Sequence, residues 1–328
     1  MALTARLTSH GPPTTDPEDF FASALGVIFP DDVTNQHGDP DHGLLYTSPH
    51  LPKPLHIRVA DPKGAEDRRL FSHFLWNSSL LLAELVEAGT LKLDAAALTS
   101  TQAGSSSLGG SSGSSISNGN GTVKIAAPAS DFDVTGCATI ELGAGTALPS
   151  LLSAVLGARR VVITDYPSSE VMDTLRRNVS SNTEPSFVPP GRQLANDVQV
   201  EGHRWGELDT PVAKANKHAF DRVFVADCLW MPWQHENLRR SVGWFLSEGE
   251  GSRAWVVAGF HTGRQKMQGF FDADALKAEG LEVERIWERD CDGNDREWAV
   301  DRGFEDPGVR KRWLVVAVLR RVIANRER

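Results

Sequence analysis

The sequence predicts an α/β fold: one doubly wound, mostly parallel sheet whose last strand is antiparallel. Three observations carry this. Strand and helix patterns alternate from about residue 138 to residue 288, and such alternation builds a parallel sheet through right-handed crossovers. The run Ala138-Thr139-Ile140-Glu141-Leu142 enters Gly143-Ala144-Gly145, and a helical pattern opens directly behind it. Residues able to hold a ligand (Gly143, Asp165, Trp205, Asp227) stand where strands end, which is where open α/β sheets bind ligands.

Residues 1–65 are rich in Pro, Asp, His and Gly, and only Phe20–Ile28 has helical spacing. They are expected to form an N-terminal helical extension to a single domain over 66–328. Asp31, Asp32, His37, Asp39, Asp41 and His42 cluster here, but the flanking Gly and Pro suit an exposed loop better than a metal site. Leu70, Phe71, Phe74, Leu75, Leu81, Leu82, Leu85 and Val86 recur at helical spacing. They predict a helix over 67–87 that contains Trp76 and ends at Gly89. Residues 99–121 are almost wholly Ser, Gly, Thr, Asn and Gln. Such a stretch buries too little apolar area to offset its ordering entropy, so it is expected to be a disordered insertion. It reads as a loop of one domain, because the helix before it needs an apolar surface to cover.

The glycine turn follows strand 138–142, and Leu148, Leu151, Leu152, Val155 and Leu156 make the next helical face. Pro149 in its first turn costs nothing, since its missing N–H would be unpaired there. A strand over 161–164 ends at Asp165, and Pro167 opens a helix through about Asn182. The strand at 197–201 runs into Gly202-His203-Arg204-Trp205-Gly206, and the strand at 220–226 ends at Asp227-Cys228-Leu229-Trp230. Then come helix 234–246, strand 254–260, helix 268–279, and strands 281–288 and 312–319 with no helix between them. That final pair suits an antiparallel hairpin at the sheet edge. The total is seven strands in a Rossmann-like order.

Composition narrows the function. Thirty-four basic against 43 acidic residues leave a net charge of −9, which argues against a nucleic-acid backbone as partner. Cys137, Cys228 and Cys291 form no C-x-x-C pair, so neither a disulfide framework nor a zinc site is expected. No apolar run approaches the roughly 18 residues of a membrane span. Residues 1–15 lack the apolar centre of a signal peptide. A soluble protein of the cytosol or nucleus is expected, with no membrane partner.

Two cofactors use a glycine turn with a carboxylate about 20 residues further on: nicotinamide dinucleotides and S-adenosylmethionine. The dinucleotide fingerprint wants a third glycine for close helix–strand packing, and Leu148 stands at that position. Glu141, two residues before the first glycine, instead resembles the first motif of class I methyltransferases. Five stretches together extend the resemblance: Phe74-Leu75-Trp76-Asn77, Glu141 to Thr146, Thr164-Asp165-Tyr166-Pro167, Gly202 to Gly206, and Phe220 to Trp230. Over roughly residues 20–320 the chain resembles seven-strand methyltransferases of family 16. Within that family it most resembles the branch of fungal nicotinamide N-methyltransferase-like proteins, related to elongation-factor lysine methyltransferases.

The resemblance implies an S-adenosylmethionine site made of Trp76, Glu141, Gly143, Ala144, Gly145, Asp165, Tyr166, Trp205 and Asp227. Gly143 to Gly145 would line the methionine portion, Asp165 the ribose and Trp205 the adenine, while Trp76 would close the pocket. Asp227 would orient the acceptor amine or take up its positive charge, and Trp230 would contact the substrate. Family lysine methyltransferases carry Asp-x-x-Tyr after the fourth strand, and this chain has Trp230 in place of the tyrosine. The expected activity is N-methylation of a protein amine, lysine or N-terminal, on a basic partner such as a translation factor. A small nicotinamide-like amine as acceptor, or a non-catalytic binder of the cofactor, are the alternatives. His203, His235 and His261 read as ordinary loop histidines. The Asp290–Asp295 stretch lacks the glycine and glutamate of a calcium loop. No metal is expected.

Overall fold

The computed structural model describes residues 3–11, 34–39, 41–64, 74–93 and 129–322. The helix expected over 20–28, the first part of that over 67–87, the insertion 99–121 and the end of the basic tail lie outside these residues. The chain begins with short strands β1 (Leu7–His10), β2 (Gln36–His37), β3 (Gly43–Tyr46), β4 (Leu55–Ile57) and β5 (Leu75–Trp76), followed by helix α1 (Asn77–Leu91). Next come β6 (Ala138–Leu142), α2 (Leu148–Leu156), β7 (Arg160–Asp165), α3 (Ser169–Asn182), β8 (Asp197–Gly202), α4 (Pro211–Ala215) and β9 (Arg222–Ala226). The chain continues through α5 (His235–Phe245), β10 (Arg253–Gly259), α6 (Arg264–Gln268), α7 (Ala273–Ala278), β11 (Leu281–Asp290), β12 (Asp295–Glu297), α8 (Pro307–Lys311) and β13 (Trp313–Arg321).

The central sheet has the order β12-β11-β13-β10-β9-β6-β7-β8. β8, β7, β6, β9 and β10 pair in parallel, and β13 is antiparallel to both neighbours. This is the predicted α/β class, with the final long strands β11 and β13 paired antiparallel toward one edge as expected, and one difference. The last strand, β13, lies between β10 and β11. Leu314 to Leu319 are buried without a break, and a strand apolar on both faces belongs inside a sheet. An eighth strand, β12, hairpins onto β11, with the turn closed by Asp290 Oδ1, which accepts from the N–H groups of Asp292 and Asn294. Chain order reverses between β6 and β9, and the mouth of a binding cleft opens at such a switch point.

The helix predicted over 268–279 is broken. Gly269–Phe271 form a 3-10 turn, and the Asp272 side chain accepts from Ala275 N–H to cap a new helix. The leading helix starts only at Asn77. Trp76 therefore precedes it with extended backbone rather than lying inside it, and Gly89 does not end it: Lys92, at φ 55°, does.

All but Glu84 and Leu91 of helix α1 are buried, and a helix buried all round must be covered on every side. Helix α2, η-turn Ala129–Phe132 and β10 pack against it. Described N-terminal residues cover more of it: a three-stranded antiparallel sheet, β1-β3-β4, whose Leu44, Tyr46, Leu55 and Ile57 join one core cluster with Leu80 to Ala83, Leu85 and Val86. Arg6 crosses this layer, meeting Glu84 at 2.9 Å, Tyr46 Oη at 2.9 Å, and Glu87. Burial of a charge demands such pairing. The second tie is a side-chain ladder. On α3, Asn182 Oδ1 accepts from His56 N–H (2.7 Å) and Asn178 Oδ1 from Arg58 N–H (2.9 Å). Their amides return hydrogen bonds to the same residues' carbonyls, so two asparagines one turn apart imitate a neighbouring strand.

Candidate active site

Beyond the carboxyl ends of β6, β7, β8 and β9 lies a cleft of about 470 Å³. One wall is built by the glycine turn. Gly143 has φ 69° and Gly145 φ 55°, backbone that glycine adopts without a Cβ clash. A Cβ on Gly143 would stand 2.8 Å from Cys228 Sγ and 2.9 Å from Trp205 Cζ2, so the turn is bare to admit these two side chains. Gly145 N–H donates to Asp165 Oδ2 and Tyr166 N–H to Oδ1, each at 2.7 Å. Burial pushes the Asp165 carboxyl up to about 6 despite these two bonds. Each oxygen keeps a lone pair for a ligand. Trp205 is half-buried against the second core cluster with its edge on the turn, and the Arg204 guanidinium lies 4.8 Å over the Tyr166 ring.

Behind Trp205, Ser241 Oγ accepts from Gly206 N–H (2.9 Å) and meets His203 Nε2 (3.0 Å). Burial lowers His203 to about 4, so this histidine is neutral, a structural bracket for the Trp205 loop.

The opposite wall is formed by β9, β10 and the start of α1. Asp227 has φ 60°, an uncommon left-handed backbone for a non-glycine residue. Its carboxylate is held at three points: Oδ1 accepts from Ser78 Oγ (3.1 Å) and Gly259 N–H (3.0 Å), and Oδ2 meets His261 Nε2 (2.9 Å). The His261 ring lies 4.9 Å from that of Trp76. Trp230 meets the exposed Trp233 edge-to-face at 6.4 Å.

The cleft brings together Trp76, Gly143, Ala144, Gly145, Asp165, Tyr166, Trp205, Asp227 and Trp230, all singled out in the sequence. Glu141 is not among its lining residues. Its side chain is buried beneath the first turn of α2, where Oε2 accepts from Ser150 Oγ (2.5 Å) and Ser150 N–H (3.2 Å). Its place is under the turn, not in the cleft. The lining also holds Phe74, Ser79, Cys228, Met231, Gln234 and Asn237, which sequence reasoning missed. Gln234 and Asn237 stand three apart at the start of α5 and are hydrogen-bonded (2.8 Å), a helical spacing that was available as a signal. Away from the cleft, Asp39 Oδ1 accepts from the N–H groups of Asp41 and His42. Among the described residues no helix is long and apolar enough to cross a membrane.

The profile of a family described as lysine methyltransferase matches residues 74–273. That is more than half of the chain and includes the whole cleft. The chain belongs to this lysine methyltransferase family. It is similar to the protein N-terminal and lysine N-methyltransferase EFM7 of Gibberella zeae, at 33% identity over 168 residues, 48% of this chain and 62% of that protein. It is also similar to the Schizosaccharomyces pombe protein of the same description, at 24% identity over 258 residues, 75% of this chain and 82% of the relative. The chain spans less than two thirds of the length of the first of these lysine methyltransferase relatives. Among solved structures, it is similar to a ribosomal protein L11 methylase from Lactobacillus delbrueckii subsp. bulgaricus, at 15% identity and a TM-score of 0.35 over 57% of this chain and 71% of that one.

Proposed function

We propose that the chain is an S-adenosylmethionine-dependent N-methyltransferase acting on a protein amine, a lysine or an N-terminus. The observation that carries the reading is the cleft wall of Gly143, Gly145 and Asp165, in which a bare turn faces a carboxylate that still has acceptor capacity. These residues fit the cofactor. Asp165 would hold the ribose hydroxyls, Trp205 would flank the adenine, and the Gly143–Gly145 backbone would border the methionine end. Glu141, whose carboxyl burial pushes up to about 8, would brace the turn from below. The bound cofactor supplies a methyl group on a positively charged sulfur, so the leaving group is already activated. The protein's work is then to hold the acceptor nitrogen in line with that carbon and to keep water away. Trp76 and Trp230 line the acceptor end of the cleft, and aromatic faces attract a methylated cationic nitrogen.

A protein acceptor is supported by family membership and by the printed descriptions of the relatives. A net charge of −9 favours a basic partner by raising encounter rates. The finer form of the proposal is a translation factor as substrate, with cytosol or nucleus as the place of action. Two experiments test the reading. Calorimetry with S-adenosylhomocysteine should give saturable binding, and NAD should give none; the reverse result would replace the cofactor. Incubation with methyl-labelled cofactor and a lysate of cells lacking the protein should label the protein fraction. Label found only below about 1 kDa, far under the size of a folded domain, would replace the acceptor by a small amine.

A further inference from the structure

We propose that Asp227 and His261 form an acid–base pair, in which Asp227 fixes the imidazole and His261 Nδ1 takes the proton that the acceptor amine must lose. The proposal rests on the methyl-transfer reading above and assigns the step that reading leaves open. A lysine ammonium has no lone pair, and its ordinary pKa of about 10.4 leaves little free amine near neutrality.

The geometry fixes which nitrogen is available. An ionised carboxylate has no hydrogen to donate. At 2.9 Å from Asp227 Oδ2, His261 Nε2 must therefore be the donor, and in the neutral ring Nδ1 is the bare acceptor. Asp227 itself is held in place, with Ser78 and Gly259 on its other oxygen. It orients the histidine rather than reaching for the amine. This is the division of labour of carboxylate–histidine pairs in other enzymes.

Two further features show that the ring position is built. Gly259 leaves the space it occupies, because a Cβ there would stand 2.6 Å from His261 Nε2 and 2.8 Å from Cε1. Asp227 holds a left-handed backbone, φ 60°, that only its surroundings enforce. His261 is not itself a lining residue but stands directly behind two that are, bonded to Asp227 and with its ring 4.9 Å from that of Trp76, and its side chain keeps 23% of its surface exposed. A proton taken up there has a way to solvent.

The step balances. The ammonium N–H bond breaks and its proton moves to His261 Nδ1, giving an imidazolium beside the Asp227 carboxylate. The freed nitrogen lone pair forms the N–C bond as the C–S electron pair returns to sulfur, which becomes a neutral thioether. The product leaves as a methylated ammonium, and the imidazolium releases its proton to water. Among the described residues, the charged group acting on His261 is Asp227; its other neighbours, Gly259 and Trp76, carry no charge. Burial works against the imidazolium, but the Asp227 charge and hydrogen bond outweigh it and hold His261 above its ordinary 6.5. The base form accordingly grows as pH rises through a value above 6.5.

The test uses the full chain, H261Q and G259A. In nitrogen-15 spectra the His261 ring, assigned by its loss in H261Q, should show a protonated Nε2 and a bare Nδ1. Methyl transfer to the labelled protein fraction should rise with pH in the wild type. In H261Q it should fall about 100-fold, the scale of general-base removal, and lose the inflection at the histidine's pKa, leaving only the steady rise of the free-amine fraction with pH. G259A, whose methyl group displaces the ring without removing it, should fall in the same direction. S-Adenosylhomocysteine affinity should hold in both variants, which separates this loss from unfolding or a damaged cofactor site. An Nδ1–H tautomer, or an unchanged pH profile in H261Q, overturns the pair. A wild type that binds the cofactor product but labels nothing overturns the functional reading instead, and the tautomer still decides the pair.

Discussion

The two walls of the cleft are built by different means. The glycine-turn wall, proposed to hold the cofactor, is local: Gly145 and Asp165, 20 residues apart, are joined at the tips of adjacent parallel strands. The opposite wall, proposed to receive the acceptor, is assembled from afar. Ser78, 149 residues from Asp227, reaches its carboxylate from α1, and His261 reaches it from beyond β10. A local wall can be read from one motif and broken by one backbone change. An assembled wall shares its function among partners that no spacing announces.

The comparison breaks most severely at Gly143. G143V forces a branched side chain onto φ 69° and into Cys228 Sγ and Trp205 Cζ2, at 2.8 and 2.9 Å from the Cβ alone. Calorimetry should show no measurable S-adenosylhomocysteine binding, and the melting temperature should fall, since overpacking alone costs about 1–3 kcal/mol. Normal affinity would mean that the turn and Trp205 can separate without harm, and that the cofactor wall is not where the sequence puts it.

Asp165 comes next. D165N keeps the size but turns one acceptor into a donor facing a backbone N–H. A hydrogen bond to a charged group contributes about 1.5–3 kcal/mol, so affinity for S-adenosylhomocysteine should weaken about 10- to 100-fold. The pH dependence sharpens this. With its carboxyl pushed up to about 6 by burial, the wild type should lose affinity as pH falls through 6, because protonation removes the anionic acceptor. D165N should show no such loss. A wild-type affinity that is flat between pH 5 and 8 would count against Asp165 as the ribose acceptor.

What was legible follows the same division. Gly143, Asp165 and Asp227 were legible because each ends a strand whose apolar run is continuous, and the parallel alternation places those ends together. The antiparallel pairing of β11 with β13 was legible because no helix separates the two runs. The inward place of β13 was not, because nothing local says that Leu314 to Leu319 will be buried on both faces between β10 and β11. Trp76 was placed inside a helix because the apolar stripe of residues 70–86 runs through it, whereas its pairing with Gln36 makes it a strand residue. His261 was passed over as a loop histidine. Its partner Asp227 is 34 residues away, and its space depends on Gly259, whose missing side chain has meaning only in three dimensions. Glu141 stood in the right motif with the wrong role, because sequence shows that a strand ends in a carboxylate but not which side of the turn it faces.

Glu141 gives the third prediction. Its folded carboxyl sits at about 8 against an ordinary 4.5, so between those values the folded chain holds a proton that the unfolded chain has lost. Stability should therefore fall as pH rises from about 4.5 to 8. E141Q removes this term, so its melting temperature should fall less than that of the wild type between pH 6 and 8.5, with a smaller effect on cofactor affinity than D165N. Parallel melting curves for the two proteins would show that Glu141 is ionised in the fold, and would return it to the list of groups acting on the ligand's charge.

The smallest expected change is at the rim of the acceptor wall. Trp233 is 71% exposed and touches Trp230, a lining residue, edge-to-face at 6.4 Å. An exposed side chain contributes little to folding, so W233A should alter stability by no more than about 0.5 kcal/mol and leave S-adenosylhomocysteine binding intact. A protein acceptor is too large to enter the cleft whole, so it must rest on the rim. Removing an aromatic contact at such an interface costs about 1 kcal/mol or more. The KM for the labelled protein fraction should then rise about fivefold while kcat holds. An unchanged KM would confine acceptor contact to Trp76 and Trp230 inside the cleft, and an acceptor held only there has to be small.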